Sequence, residues 1–259
     1  MEKRLRLVNL LAYLGMIVIN FLAIYIPFFG KTPGDVSDIY AHPFTPADFT
    51  FKIWSVIYIL LGIFIFYQSK NIFSQKESVP EEIKLIGYLF FWTCIFNCIW
   101  LFTFQSLNIL LSFIAIFVLW VLLIIIDYRL TMFTKIRPIF IIPFSVYLSW
   151  VSVATLANLN VLLIDSGFDF FGFSQENWAT FLVILGVIGG ALVLYLNANY
   201  WFLIILAWAY FGVYQKNKDL EHLLPQLTLV SIFIILGMAA LSWKIRSKWK
   251  IPNQITNIK

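Results

Sequence analysis

Three aromatic residues, Phe51, Trp54 and Tyr58, stand three and four positions apart in FTPADFTFKIWSVIYILLG, the segment from Phe44 to Gly62. On a helix they fall, with Gly62 one turn further on, within about 60° of arc. A second set advances by the same steps in PFSVYLSWVSVATLANLN, where Pro143, Tyr147, Trp150, Ala154 and Asn158 keep to about 80° of one face. A third set, Asn97, Trp100 and Phe104, lies in FNCIWLFTF. The chemistry open to these sets is non-covalent. Indole and phenol faces stack on flat or rigid apolar molecules, an alanine one turn from an indole leaves a gap, and an amide fixes orientation by hydrogen bonding.

The same residues support a plainer reading. Trp and Tyr near helix ends form an interfacial belt, and Trp54 sits only a few residues into its helix. Asn inside a membrane helix commonly joins it to a neighbour. An amide in hydrocarbon costs on the order of several kcal/mol unless satisfied, so Asn97 and Asn158 require a partner helix, a water or a ligand. Belt residues alone give no reason for Ala154 and Asn158 beneath Trp150.

Covalent and redox chemistry find little support. The chain has two Cys and two His, and Cys94 and Cys98, one helical turn apart, do not make a CxxC pair or a metal-ligand set. Asp127 marks a helix end, and no Asp, Glu, Lys, Arg or His occupies the middle of an expected span. That pattern argues against a proton pump, a carboxylate-driven carrier, a voltage sensor or a retinal Schiff base. No phosphate loop or GxSxG elbow occurs in a supporting context. No catalytic or metal-binding residue is assigned.

The elements that must position the aromatic sets are membrane helices. The 259 residues are 61% hydrophobic and 12% charged, far from the soluble norm of roughly half apolar and a quarter charged. The fold class is all-α and polytopic. Windows of about 20 residues give eight spans, near 7–28, 51–68, 85–105, 108–127, 139–164, 177–196, 199–215 and 227–244. The sixth and seventh are separated only by LNAN. MEKRLR and the apolar run behind it form a retained first helix, because the run exceeds a signal-peptide core and lacks a small-residue cleavage site.

With the N-terminus inside, fourteen of the 18 Lys and Arg residues fall on the inner side, and Lys31, Lys52, Lys216 and Lys218 fall outside. The positive-inside rule then places both termini in the cytoplasm. The net charge of +5 reports topology rather than nucleic-acid binding, since it sits in short segments between apolar runs. Trp243 and Trp249, interleaved with Lys244, Arg246, Lys248 and Lys250, form an inner-interface anchor for anionic lipid. Gly186 and Gly190 make a GxxxG pattern that allows close helix approach, within the chain or in a homodimer.

Three elements together resemble the tryptophan-rich sensory proteins related to the mitochondrial translocator protein, also called the peripheral benzodiazepine receptor. FTPADFTFKIWSVIYILLG looks like that family's first loop entering its second helix, with Trp54 and Tyr58 in the W-x-x-x-Y positions. FNCIWLFTF is similar to its N-x-x-W-x-x-x-F element. WVSVATLAN, Trp150 to Asn158, matches the W-V-S-x-A-T-x-x-N core, and Trp120 falls in the fourth span. Val146 replaces the Pro that usually precedes the Tyr of the fifth helix, with Pro143 lying nearby.

The resemblance covers residues 1 to about 164 and implies two parts: a five-helix sensory-like unit over 1–164, and three further spans with a basic tail over 165–259. It also implies a binding protein for large planar or apolar molecules, such as porphyrin, haem or sterol-like lipid, with a sensory or regulatory role and no required cofactor. Trp54, Tyr58, Trp100 and Trp150 would be the walls, Ala154 the clearance, Asn97 and Asn158 the polar contacts, and the loop before Phe51 the lid. The alternatives are a transporter of tetrapyrroles or lipids and a light-dependent porphyrin-degrading enzyme. The expected partners are membrane lipid and an apolar small molecule, not nucleic acid. The expected location is a bacterial cytoplasmic membrane.

Overall fold

The structure, a computed structural model, describes residues 2–70, 80–131, 137–197 and 199–248, with side chains to 244. Among the described residues ten α-helices follow one another: α1 (Glu2–Tyr25), α2 (Pro33–Ile39), α3 (Ile53–Ser69), α4 (Glu81–Ile86), α5 (Leu89–Gln105), α6 (Ile109–Thr131), α7 (Pro138–Asp165), α8 (Gln175–Asn197), α9 (Tyr200–Asn217) and α10 (Leu223–Lys248). A short 3-10 turn, Asp48–Lys52, leads into α3. Among the described residues there is no strand, and the all-α class is observed.

Each expected span corresponds to a helix, with boundaries set by local chemistry. α1 stops at Tyr25 because Pro27 disfavours helical geometry at Ile26. The third span begins at Leu89 rather than 85, because Gly87 takes a φ of +54° and breaks the chain into α4 and α5. α2 is an element the hydropathy windows did not reveal. Thr32 and Asp35 form a reciprocal capping box around Pro33 at its first turn.

Six of the helices are long and apolar enough to cross a membrane: α1, the segment Asp48–Ser69, α6, α7, α8 and α10. The other two differ from the expected eight for separate reasons. α5 has 17 residues. α9 ends in Gln215, Lys216 and Asn217 and turns more than half of its residues into the protein.

α1, α3, α7, α6 and α5 pack in that order, each on the next, and α5 closes back on α1. α9 lies against α7 on the outside of this ring, with α8 and α10 packed on α9. The helices alternate in direction. Arg6 of α1 donates to the carbonyls of Gln68 and Lys70 at the end of α3, and Asn9 donates to the Gly87 carbonyl before α5 at 3.2 Å. Arg137 grips Glu82 through two bonds of 3.0 and 2.9 Å at the same end. Residues 29–52 lie at the opposite end, where Tyr40 donates to Asp165 at 2.8 Å. The bundle's perimeter is apolar, as Leu11, Val18, Phe66, Leu110 and Phe233 illustrate, which suits acyl chains rather than water. Trp243 is exposed on α10; Trp249, Lys250 and the side chains of Arg246 and Lys248 lie outside the described residues.

Asp127 is a correction in detail. α6 runs a turn beyond the expected span end and carries this carboxylate fully buried. Asn199 and Asn197 donate to it at 2.8 Å each, so the end of α8 and the start of α9 are held by a group on α6. Ser145 of α7 lies at 3.4 Å. The carboxylate thereby ties Asn197 and Asn199 to the five-helix ring.

Candidate functional site

The three aromatic sets meet inside the ring. Trp54 of α3 stacks on Trp100 of α5 at 5.6 Å between centroids and on its own-helix neighbour Tyr58 at 5.8 Å. Tyr147 and Trp150 of α7 present edges to Trp54 at 6.1 and 6.3 Å. Trp100 stacks in turn on Phe104 at 5.9 Å. Phe51, in the 3-10 turn, sets its ring at 89° to Trp150 at 5.8 Å. The offset-stacked and edge-to-face geometries are those in which ring quadrupoles attract. The box is therefore filled by its own rings.

Its polar residues are also largely satisfied within the protein. Asn97 accepts from Asn20 of α1 at 2.8 Å and donates to the Tyr147 hydroxyl at 3.2 Å. Tyr58 donates to Asn20 at 2.6 Å. Asn158 accepts from the Trp100 indole at 3.1 Å and donates to the Ala154 carbonyl at 2.8 Å. This is the helix-joining role in part. It is completed by Asn20, which sequence reasoning missed because the motifs that drew attention lie on α3, α5 and α7 and none lies on α1.

Two features depart from plain packing. The Trp150 indole nitrogen is buried and has no hydrogen-bond partner, a state that ordinarily costs about 1–3 kcal/mol. Trp54, Tyr58 and Ala154 are only half-buried, while Asn97, Trp100, Trp150 and Asn158 are buried. All seven expected residues thus line one region, with an orphaned donor in its wall.

Above the box, Val36 of α2 joins Phe104, Ile109 and Val161 in a second apolar cluster. The segment 41–52 forms a strap beside it, with Phe44 and Thr50 fully buried. A separate cavity with room for about one water molecule opens where this strap meets α7 and α8, lined by His42, Asn160, Phe170, Gln175, Trp178 and Ala179. Trp178 donates to the Asn160 carbonyl oxygen at 2.7 Å, leaving the Asn160 amide nitrogen without a partner. Neither His42 nor Asn160 was singled out in sequence, since only the path of the strap brings them together. Among the described residues no group of His, Cys, Asp or Glu could hold a metal ion.

A ring of apolar helices enclosing clustered Trp, Tyr and Asn side chains, with an apolar perimeter, defines an integral membrane protein of the translocator-protein type. The family model of TSPO-like proteins matches residues 6–242, and the chain belongs to that family. The match runs well past residue 164 and takes in the last three helices. No curated protein and no solved structure matches the chain.

Proposed function

We propose that the aromatic box binds a large planar or rigid apolar molecule, of the porphyrin, haem or sterol-like class, and that occupancy serves a sensory or regulatory role. The unpartnered indole N–H of Trp150 carries this reading. A ligand acceptor would satisfy it, while the stacked faces of Trp54 and Trp100 would separate to admit a flat ring. The polar network beneath, from Asn20 to Tyr147, would keep the floor in place. The family membership supports the same reading.

In this account all eight long helices cross the bilayer. α5 and α9 do so sheltered by their neighbours, and α8 to α10 form a flank on the five-helix unit. The end bearing Arg6, Lys84 and Arg137 faces the cytoplasm of a bacterial cell, as the distribution of positive charge favours. The Gly186 and Gly190 face is occupied within the chain. A Cβ on Gly190 would lie 3.0 Å from Leu203 and from Leu206, so a homodimer would need another surface.

The test is titration of the purified protein in detergent with protoporphyrin, followed by tryptophan quenching. Saturable quenching is expected, weakened about tenfold in Trp150→Phe by loss of one hydrogen bond of roughly 1.4 kcal/mol and abolished in the Trp54→Phe, Trp150→Phe double variant. Unsaturable quenching, equal in all three, would reduce the box to packing.

A further inference from the structure

We infer that α9 is the keeper of the strap that closes the box, so that the last three helices regulate access to it. The inference rests on the ligand reading above for its consequence, and on contacts of its own for its mechanism.

The strap and the 3-10 turn are fastened to α9 along their length. The Ala47 amide donates to the Gly212 carbonyl at 3.1 Å. The Trp208 indole donates to the Thr50 carbonyl at 3.2 Å, and Asn217 donates to the Pro43 carbonyl at 2.7 Å. Phe49 sets its ring edge-on to Trp208 and Phe211 at 5.5 and 5.9 Å. The gap in which the strap lies exists because residue 212 has no side chain. A Cβ there would come within 2.5 Å of Thr50 and 2.9 Å of Pro46.

These fastenings reach the box directly. Thr50, which two α9 residues touch or nearly touch, precedes Phe51, whose ring closes on Trp150. Two residues further, the chain enters α3 at Ile53, and Trp54 is the box's central ring. A shift of α9 that withdraws Gly212 and Trp208 therefore frees Phe51 to leave Trp150. α9 is itself held at its start and along its length. Asp127 of α6 holds Asn199, which caps its first turn, and α8 and α10 pack along its length. What binds or bends α8 and α10 is thereby coupled to the opening of the box.

Hydrogen exchange of the full chain in phosphatidylcholine and phosphatidylglycerol nanodiscs tests this, comparing wild type with Gly212→Ala and Trp208→Phe. Trp208→Phe keeps the ring against Phe49 and deletes one bond of about 1 kcal/mol, so amides over 44–50 should exchange about fivefold faster. Gly212→Ala should accelerate them by ~10-fold or more through overpacking, with amides in the middle of α5 and α7 unchanged in both. Protoporphyrin should then associate faster with both variants. Strap exchange equal to wild type in both variants would overturn the inference, as would a loosened strap with intact saturable binding and an unchanged association rate. If no variant or wild type binds porphyrin saturably, the ligand reading fails, and strap exchange alone decides whether α9 holds the strap.

Discussion

Trp150 and His42 are two of the described side chains whose buried polar atoms the fold leaves unanswered, and they differ in what they can do. The Trp150 N–H is a fixed donor and asks for an acceptor. His42 can titrate. Burial first, and then the nearby positive charge of Lys216 on α9, push its pKa down from 6.5 to about 4, and a weaker pull from the Ala157 carbonyl opposes them. The groups facing it from α7 and α8, Asn160, Gln175 and Trp178, are neutral. A folded pKa below the unfolded one means that the unfolded chain binds the proton more readily. The stabilisation is therefore complete above about pH 6.5 and is lost as pH falls toward 4, at a total of roughly 3 kcal/mol. Thermal unfolding in detergent should show the melting temperature declining across that window in wild type and flattening in His42→Gln. An identical decline in the variant would show that other groups carry the acid sensitivity.

At the scale of elements, the α8–α9 contact depends on two missing side chains, at Gly186 and at Gly190. A Cβ on Gly186 would collide with the hydroxyl of Tyr210, which donates to the Val183 carbonyl at 2.7 Å, whereas Gly189 has nothing within 4 Å. Gly186→Ala should lower stability by about 1–3 kcal/mol, and Gly189→Ala should leave it unchanged, both read as melting temperatures. Equal effects would mean that helix approach is not set at residue 186. The GxxxG pattern was legible in the sequence; the helix it serves was not, because a spacing marks a face and not its partner. The spacing of Trp54, Tyr58, Trp100, Trp150 and Asn158 likewise disclosed three faces that do converge. It could not disclose that the rings fill their own box, since that depends on how closely α3, α5 and α7 approach. The inward packing of α9 was not legible, because hydropathy responds equally to lipid and to a protein interior, and α9 turns mostly inward. The burial of His42 and of Asp127 escaped notice for a related reason: a loop path and a helix overrun, not a local pattern, bury them.

For the whole molecule, alternating helices put the start of α1 and the end of α10 at one end of the bundle and residues 29–52 at the other. A cysteine-accessibility map in intact cells, on a background lacking Cys94 and Cys98, should label position 38 from outside and position 244 only after permeabilisation. Labelling of both from the same side would overturn the eight-crossing topology. Above that topology stands the claim that the five-helix ring is a receptor for a flat apolar molecule, with the strap as its door. Illumination of the porphyrin-bound protein at limiting light, followed by mass-spectrometric mapping of oxidised tryptophans, tests it most directly. Modification should concentrate on Trp54, Trp100 and Trp150 and be competed by excess non-photoactive porphyrin. Modification confined to the exposed Trp92 and Trp243, with the box untouched, would contradict it.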